Sequence, residues 1–480
     1  MNGIDATINA WVRPLADGLA SFVFFEVPIA GAQLPLVVLS LAAGAFYFTF
    51  RFRFINIRGF THALRLLREP PDPDHPGELS HFQALSTAIS GTVGIGNIGG
   101  VAVAISLGGP GAAFWMVLAG VLGMSTKFVE CTLGVIYRRQ NADGSVSGGP
   151  MYYLERGLAD RGLPRLGRCL GVFYAVGIVI GCLGIGNMFQ SNQAFIQIVG
   201  VTGGEASWLV DKGWLVGLVI AGVVGAVILG GIQSIARVAS RLVPFMAALY
   251  LAGALIVLVL NFEALPWAFR AMFEGAFTTQ AAGGGALGAL IVGFQRAVFS
   301  NEAGIGSATI AHSAVRTEEP LTEGYVSLLE PFIDTVVICQ ATALVIITTS
   351  YFEPGFTEGL GGIEMTSSAF EKRFAWAPYP LALAATLFAF STMVSWSYYG
   401  LKGWTYLVGE GRRAENSFKA VFCFFVALGC MLQLEAILDF SDAMVFLICI
   451  PNLLGLYLLA PVVQARLRDY SPRLRSMKRT

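Results

Sequence analysis

Two glycine-rich stretches each combine a Gly-Ile-Gly triplet with polar side chains. The first runs over Ser90–Gly100 and the second over Phe299–Ser307. A glycine costs a helix roughly 1 kcal/mol relative to alanine, so several close together favour local unwinding. Unwound carbonyls can hold a cation, and the half-helix that follows offers N–H groups to a carboxylate. These residue types therefore predict binding of an ion and of a carboxylate.

A third polar group lies in Phe390–Tyr399, where the adjacent hydroxyls of Ser391 and Thr392 precede Trp396. Two hydroxyl oxygens can complete an oxygen cage for sodium, which is a hard cation. The alternative is ordinary bonding of each hydroxyl to the preceding turn of its own helix. The aromatic neighbours and the two glycine-rich stretches favour the sodium site.

Further polar amides cluster at Asn187, Gln190, Asn192 and Gln193. Gln190 could reach the amine or the carboxylate of a substrate. Hydrogen bonding between helices explains some of the four equally well.

Four ionisable side chains fall inside apolar stretches, where charges are costly and are usually paired or functional. Glu130 could accept N–H bonds from the second glycine-rich stretch, which would be a structural role. Arg296 could pair with Asp334 or with Glu302 as a gate, and the sequence leaves both pairings open.

The composition is that of a membrane protein. Of 480 residues, 55% are hydrophobic and 13% are charged, whereas a soluble protein usually carries about a quarter charged residues. Basic and acidic residues balance at 31 each, which suggests no nucleic-acid partner. The seven cysteines form no CxxC pair and the four histidines no HxxxH pair, so neither zinc nor haem is expected.

The apolar stretches predict an all-α membrane protein with about eleven spans, each near the 20 residues needed to cross the hydrocarbon core. When the N-terminus is placed outside, most lysines and arginines fall in the cytoplasmic segments and few in the outer ones. By the positive-inside rule, the N-terminus is therefore expected outside and the C-terminus in the cytoplasm. The predicted spans are 33–50, 82–106, 110–136, 170–198, 213–234, 242–262, 284–312, 326–350, 379–405, 417–436 and 442–464.

Each glycine-rich stretch begins a block of five spans. Because five is odd, the second block is inverted, as expected for five-plus-five inverted repeats with two broken helices. One extra helix precedes them. The alternative, that the glycines only allow close helix packing, fits less well beside so many polar residues. The predicted division is 1–80 (extra helix and cytoplasmic connection), 81–262 (first repeat), 263–466 (second repeat) and 467–480 (basic tail).

Four motifs carry a resemblance to a known family: Gly91–Ile98, Gly108–Gly111, Gly148–Tyr153 and Phe299–Ala308. On these residues the chain resembles the alanine or glycine:cation symporter family from about residue 30 to the last span. The resemblance implies a fold similar to the bacterial leucine transporter in a cell (inner) membrane. It also implies uptake of alanine or glycine driven by sodium, or in some members by protons, with no organic cofactor.

The resemblance further implies site residues. Carbonyls of Ser90 and Val93 would join Ser391 and Thr392 at sodium, and Glu130 matches a glutamate that braces the second broken helix. The position of Ile95 often holds a small hydroxyl residue in relatives, so isoleucine facing the pocket would make it smaller and drier. The implied substrate residues are Thr92, Gly94, Ile95, Gly96, Asn97, Gln190, Ser300, Asn301 and Trp396.

The expected function is therefore sodium-coupled symport of a small amino acid by alternating access, in contact with membrane lipid. A channel would need repeated filter elements, which two unlike broken helices do not provide. A membrane-embedded enzyme would need a nucleophile or a metal cluster at depth, and no such constellation occurs. The remaining alternative is a proton-coupled symporter, or one for another small solute, on the same scaffold.

Overall fold

The protein is described by a computed structural model over residues 3–29, 32–141, 144–277, 285–351, 362–432 and 435–477. Helices dominate these residues, and each of the eleven predicted spans is occupied by helix. The helices are α1 (Gly3–Val23), α2 (Leu36–Arg51), α3 (Ile55–Arg58), α4 (Phe60–Leu66), α5 (His81–Thr92), α6 (Gly99–Ile136), α7 (Pro150–Asp160), α8 (Pro164–Leu183), α9 (Phe189–Val201), α10 (Gly213–Ile228), α11 (Gly231–Leu260), α12 (Leu265–Phe277), α13 (Gly285–Asn301), α14 (Ala308–His312), α15 (Pro320–Val326), α16 (Leu329–Pro331), α17 (Gln340–Thr349), α18 (Gly362–Glu371), α19 (Pro378–Val408), α20 (Arg412–Gly429) and α21 (Glu435–Met477).

Short elements of other kinds join these helices. Two antiparallel hairpins pair β1 (Glu26–Ile29) with β2 (Ala32–Pro35) and β3 (Arg139–Gln140) with β4 (Val146–Ser147). 3-10 helices occupy Ile95–Asn97, Gly204–Ala206 and Phe262–Ala264, and π-helices occupy Gly184–Met188 and Phe332–Cys339.

Helix α6 joins the second half of the predicted span 82–106 to the span 110–136. At Gly109 the backbone turns through φ 64° and ψ −171°, a conformation that favours glycine, and Pro110 follows. A straight helix of this length would extend about 57 Å, well beyond the thickness of a membrane. The kink therefore separates the end of the first broken span from the next span.

Six helical segments of the described chain are long and apolar enough to cross a membrane. The other predicted spans are shorter, interrupted or more polar, which is why fewer than eleven satisfy the criteria of length and composition. The six are Ile95–Ile136, Pro164–Val201, Gly231–Leu260, Pro320–Thr349, Pro378–Val408 and Asp439–Tyr470.

The centre of the molecule is formed by the two broken spans and the helices around them. Helix α5 packs against α11 and α19, while α13 packs along α6. The predicted extra helix, span 33–50, is α2, which packs against α6 and α21. Helix α1, which precedes it, packs against α21. The packing therefore brings the breaks in the first and second repeats close to each other and to α19.

Candidate functional site

The first broken span separates into α5 and α6 at Val93 and Gly94. Both residues are extended, with φ −77°, ψ 94° and φ −137°, ψ −158° respectively. The side chain of Asn97 stabilises the break, because its Oδ1 accepts a hydrogen bond from the Gly94 N–H at 2.9 Å. The helix is thus interrupted in the middle of the span, as the glycine-rich sequence predicts.

The second broken span separates α13 from α14. Glu302, Gly304 and Gly306 all have positive φ (57°, 95° and 88°), which for a glutamate is an uncommon, strained conformation. The freed N–H of Gly304 donates to Glu130 Oε1 at 2.9 Å, the contact expected from the sequence. Asn452 extends this brace, because its Nδ2 donates to Glu130 Oε1 and to the Gly304 carbonyl, each at 2.8 Å.

A buried polar network joins the two breaks through Asp334. The Asp334 carboxylate accepts hydrogen bonds from Asn97 Nδ2 (2.5 Å), Ser300 Oγ (2.6 Å) and Thr335 Oγ1 (2.8 Å). Asn97 Nδ2 also donates to Ser300 Oγ at 2.9 Å, and Asn301 Nδ2 donates to Thr335 Oγ1 at 2.9 Å. Three of the predicted substrate residues, Asn97, Ser300 and Asn301, therefore belong to one network.

The four predicted sodium ligands lie where α5 meets α19. Ser90 Oγ donates to the Ser391 carbonyl at 2.7 Å, and Ser391 Oγ donates to the Phe388 carbonyl at 2.9 Å. Ser90 and Val93 are completely buried, and both hydroxyl residues of α19 are nearly so. The structure thus brings Ser90, Val93, Ser391 and Thr392 together at one buried contact between helices.

Two side-chain oxygen atoms beside Gly94 have no hydrogen-bond partner among the described residues. They are Thr392 Oγ1 and Gln190 Oε1, and both are buried. A Cβ placed on Gly94 would lie 2.8 Å from Thr392 Oγ1 and 3.4 Å from Gln190 Oε1, so the two oxygens are neighbours. Buried polar atoms are normally satisfied, and oxygen is the ligand that hard cations prefer. This pair of oxygens is suited to a cation or to the ammonium group of a ligand.

Trp396 packs against the backbone of the fourth predicted span. Its Nε1 donates to the Gly91 carbonyl at 3.2 Å, which fixes the ring beside the break. The facing residue, Gly186, lies in the π-helix Gly184–Met188. Sequence reasoning missed this element, although Gly184–Asn187 repeats the tetrapeptide Gly-Ile-Gly-Asn of Gly94–Asn97 and so signalled it.

Gly186→Ala is expected to destabilise the protein by about 1–3 kcal/mol. A Cβ at Gly186 would lie 2.4–2.6 Å from three atoms of Trp396, and a buried indole cannot move aside cheaply. The measurement is the thermal midpoint of the purified protein in detergent. Gly200→Ala in α9 is the matched control, because no heavy atom lies within 4 Å of its added Cβ. An equal effect of both substitutions would contradict the close packing of Trp396.

The remaining predicted substrate residues lie at the ends of the break. Thr92 Oγ1 bonds back to its own helix, donating to the Ile89 carbonyl at 3.3 Å. Ile95 is almost completely buried, whereas Gly96 is partly exposed and lies against Phe299, whose ring would be 3.6 Å from an added Cβ. Thr92 is thus satisfied within α5, and Gly96 is the more accessible part of the break.

Neither expected pairing of Arg296 is formed in the described part of the chain. Asp334 is satisfied by Asn97, Ser300 and Thr335, and Glu302 accepts a hydrogen bond from Ser307. Arg296 instead borders a cavity of about 250 Å³ together with Asp439 and Asp442. The sequence left both pairings open, and the carboxylates that face Arg296 lie in α21, near the end of the same repeat.

A buried ionic cluster, separate from the network around Asp334, was not predicted from the sequence. The Nζ of Lys127 lies 2.9 Å from Glu330 Oε1, and both side chains are completely buried. Glu323 accepts hydrogen bonds from Nδ1 of His81, the first residue of α5, and from Nδ1 of His312, the last residue of α14, the latter at 2.5 Å. The cluster therefore connects the outer ends of the two half-helices that lead away from the breaks. No short motif marks it, because its members come from α5, α6, α14, α15 and α16.

Comparisons with known proteins agree with this architecture. The model of the sodium:alanine symporter family matches residues 25–480. The chain is 38% identical over 439 residues to the sodium/alanine symporter AgcS of Methanococcus maripaludis, covering 91% of this chain and 94% of that protein. It is 34% identical over 438 residues to the probable sodium/glutamine symporter GlnT of Bacillus subtilis, covering 91% and 87%.

The fold itself has a solved counterpart. The crystal structure of MhsT in complex with L-phenylalanine superposes with a TM-score of 0.56 at 16% sequence identity, covering 78% of this chain and 88% of that one. This similarity confirms the expected fold of the leucine-transporter type, with two broken helices in inverted repeats. The chain belongs to the sodium:alanine symporter family, and it is a multi-pass membrane protein that acts as a secondary active amino-acid symporter rather than as an enzyme.

Proposed function

We propose that the protein couples the uptake of a small neutral amino acid, alanine or glycine, to sodium. The observation that carries the proposal is the pair of unpartnered oxygens, Thr392 Oγ1 and Gln190 Oε1, beside Gly94. Both oxygens lie beside the first broken helix, where backbone N–H and carbonyl groups released by the break can bind the amino acid and sodium. The name of the Methanococcus maripaludis relative, a sodium/alanine symporter, supports the same cargo.

Sodium is bound in this proposal between α5 and α19. The carbonyls of Ser90 and Val93 and the hydroxyls of Ser391 and Thr392 supply a set of oxygen atoms that a hard cation prefers. Ser391 is oriented towards α5, with its Oγ 3.4 Å from the Ser90 carbonyl. Of the two hydroxyl ligands, Thr392 has an oxygen with no hydrogen-bond partner in the described chain. Sodium is cargo here, so its site must release the ion as well as bind it.

The substrate is bound next to the ion at the first break. The N–H groups of Ile95 and Gly96 are presented to the substrate carboxylate, as at the start of a half-helix that binds an anion. The Gly94 N–H is held by Asn97 Oδ1, so Gly94 lines the substrate through its Cα and carbonyl. Gln190 accepts from the substrate ammonium, and the network around Asp334 holds Asn97, Ser300 and Asn301 in place. Trp396 is fixed by its bond to Gly91 and packs on Gly186, and in this proposal the indole restricts the substrate to a small side chain.

Alternating access would then move the first two helices of each repeat against the rest. Glu130 ties the unwound part of the second broken helix to α6, so the two move together during this motion. Sodium couples to the substrate because it orders the break that the substrate binds, and the coupling is reciprocal by linkage. The distribution of arginine and lysine supports an N-terminus outside and a C-terminus in the cytoplasm.

The test is uptake of labelled alanine and glycine by the protein reconstituted in liposomes. An inward sodium gradient is expected to increase uptake severalfold over a potassium gradient of equal size, and unlabelled alanine should compete. Glutamine is included as a competitor because one relative is named a probable sodium/glutamine symporter. Uptake of neither amino acid, with another solute carried, would contradict the proposed substrate.

Proton coupling is the second candidate, because one relative is named a putative sodium/proton-dependent alanine carrier. A pH gradient without sodium separates the two ions in the same liposomes. Uptake driven by protons alone would retain the substrate site and reject the sodium ligands.

A further inference from the structure

A cavity of about 670 Å³ opens at the edge of the membrane-spanning region, away from the central site. Its walls come from the C-terminal end of α6, from α7 with the residue that follows it, and from α21. The floor is closed by the tight packing of α7, since a Cβ at Gly157 would lie 2.7 Å from Leu459 and 3.1 Å from Tyr137. The cavity thus has a floor of closely packed helices and is open at the protein surface.

Three exposed arginines line this cavity: Arg156, Arg161 and Arg466. Arg156 donates from Nη1 to the Arg138 carbonyl at 3.2 Å, and within the described chain no carboxylate lies at salt-bridge distance from any of the three. The lining contains one acidic residue, Asp160, against these three arginines. The lining therefore carries an excess of positive charge that the protein does not neutralise.

The cavity also has an apolar wall on the side of the membrane. Ile136 is the last residue of α6, and Val462 lies in the last turn of the predicted span 442–464; both are half-buried. Guanidinium groups thus stand at the point where two membrane-spanning helices leave the apolar region. A soluble anion would need only the charges, whereas a lipid would use both the charges and the adjoining apolar wall.

We propose that this cavity binds the phosphate headgroup of an anionic phospholipid, with an acyl chain against Ile136 and Val462. Arginine binds phosphate through paired N–H donors, and basic pockets between membrane helices are recognised lipid headgroup sites. The site is independent of the proposed cargo, because no residue that lines it takes part in the sodium or substrate contacts.

The test uses the full-length protein, delipidated in a neutral detergent. Binding of phosphatidylglycerol and of phosphatidylcholine is measured by native mass spectrometry and by the shift of the thermal midpoint. We expect the protein to bind phosphatidylglycerol in preference to phosphatidylcholine. In the double variant R161Q/R466Q the affinity for phosphatidylglycerol should fall about 25-fold, which corresponds to roughly fivefold for each arginine. The double variant R412Q/R413Q, which removes two exposed arginines at the start of α20, should bind as the parent does.

Three results would overturn the proposal. The first is unchanged preference for phosphatidylglycerol in R161Q/R466Q, whose thermal midpoint without lipid verifies that it is folded. The second is an equal loss in R412Q/R413Q, which would indicate a general effect of surface charge. The third is tight binding of glycerol 3-phosphate that displaces the lipid, which would make the cavity a site for a soluble phosphate.

Discussion

Thr392→Val is expected to raise the sodium concentration for half-maximal uptake by roughly ten- to a hundredfold, the range for loss of a contact to a charged group. The substitution preserves the shape of the side chain and removes a buried oxygen that has no partner among the described residues. Without sodium, the variant should be at least as stable as the parent, because a buried unsatisfied hydroxyl costs free energy in the folded state. The measurements are sodium-dependent uptake in liposomes and the thermal midpoint in sodium-free buffer.

The matched control is Thr386→Val on the same helix, two turns before the site. Its hydroxyl donates to the Ala382 carbonyl at 2.8 Å and is remote from the break, so the sodium dependence should not change. Weaker sodium dependence in Thr386→Val, or unchanged dependence in Thr392→Val, would place the ion elsewhere. A loss of stability in Thr392→Val would mean that this hydroxyl is satisfied in the protein.

Lys127→Met is expected to destabilise the protein by about 3–5 kcal/mol, as when one member of a buried ion pair is removed. Lys127 and Glu330 are both completely buried and 2.9 Å apart. Loss of the ammonium group would leave Glu330 with His312, whose Nε2 is 3.9 Å from Glu330 Oε2, as its nearest basic group. The measurement is the thermal or denaturant midpoint of the purified protein, together with the amount of folded protein recovered from the membrane.

A second substitution distinguishes charge from packing. Lys127→Met with Glu330→Gln removes both charges, so most of the lost stability should return. Arg270→Gln is the control, because Arg270 and Glu274 form an exposed ion pair at 2.7 Å on α12. Loss of such a surface pair should change the stability of the protein little. A double variant no more stable than Lys127→Met would show that the methylene chain of Lys127, and not its charge, is essential.

The two breaks were predictable because their cause is local. Clustered glycines favour local unwinding of a helix, and Gly94 and Gly304 lie at non-helical positions as the sequence indicates. The contact of Glu130 with Gly304 was predictable for a related reason, since a freed N–H in an apolar region needs an acceptor. The roles of these residues in binding cargo stay predictions that the proposed experiments test.

Contacts between distant segments were not predictable in the same way. Arg296 has carboxylate neighbours on α21 because of how α13 and α21 lie in the folded protein, which no local pattern encodes. The π-helix that carries Gly186 depends on its fit to Trp396, more than 200 residues away. The cluster of Lys127, Glu330 and Glu323 likewise forms only after five helices have packed.

The shared carboxylate of Glu323 limits how the molecule can open at that end. It holds α5 through His81 and α14 through His312, so one side chain is the common anchor of both half-helices. When one half-helix departs, water enters and weakens the remaining hydrogen bond by raising the local dielectric. Release of the first partner therefore promotes release of the second. We therefore expect this end of the protein to be either closed or open, with no stable state in which only one half-helix has separated from Glu323.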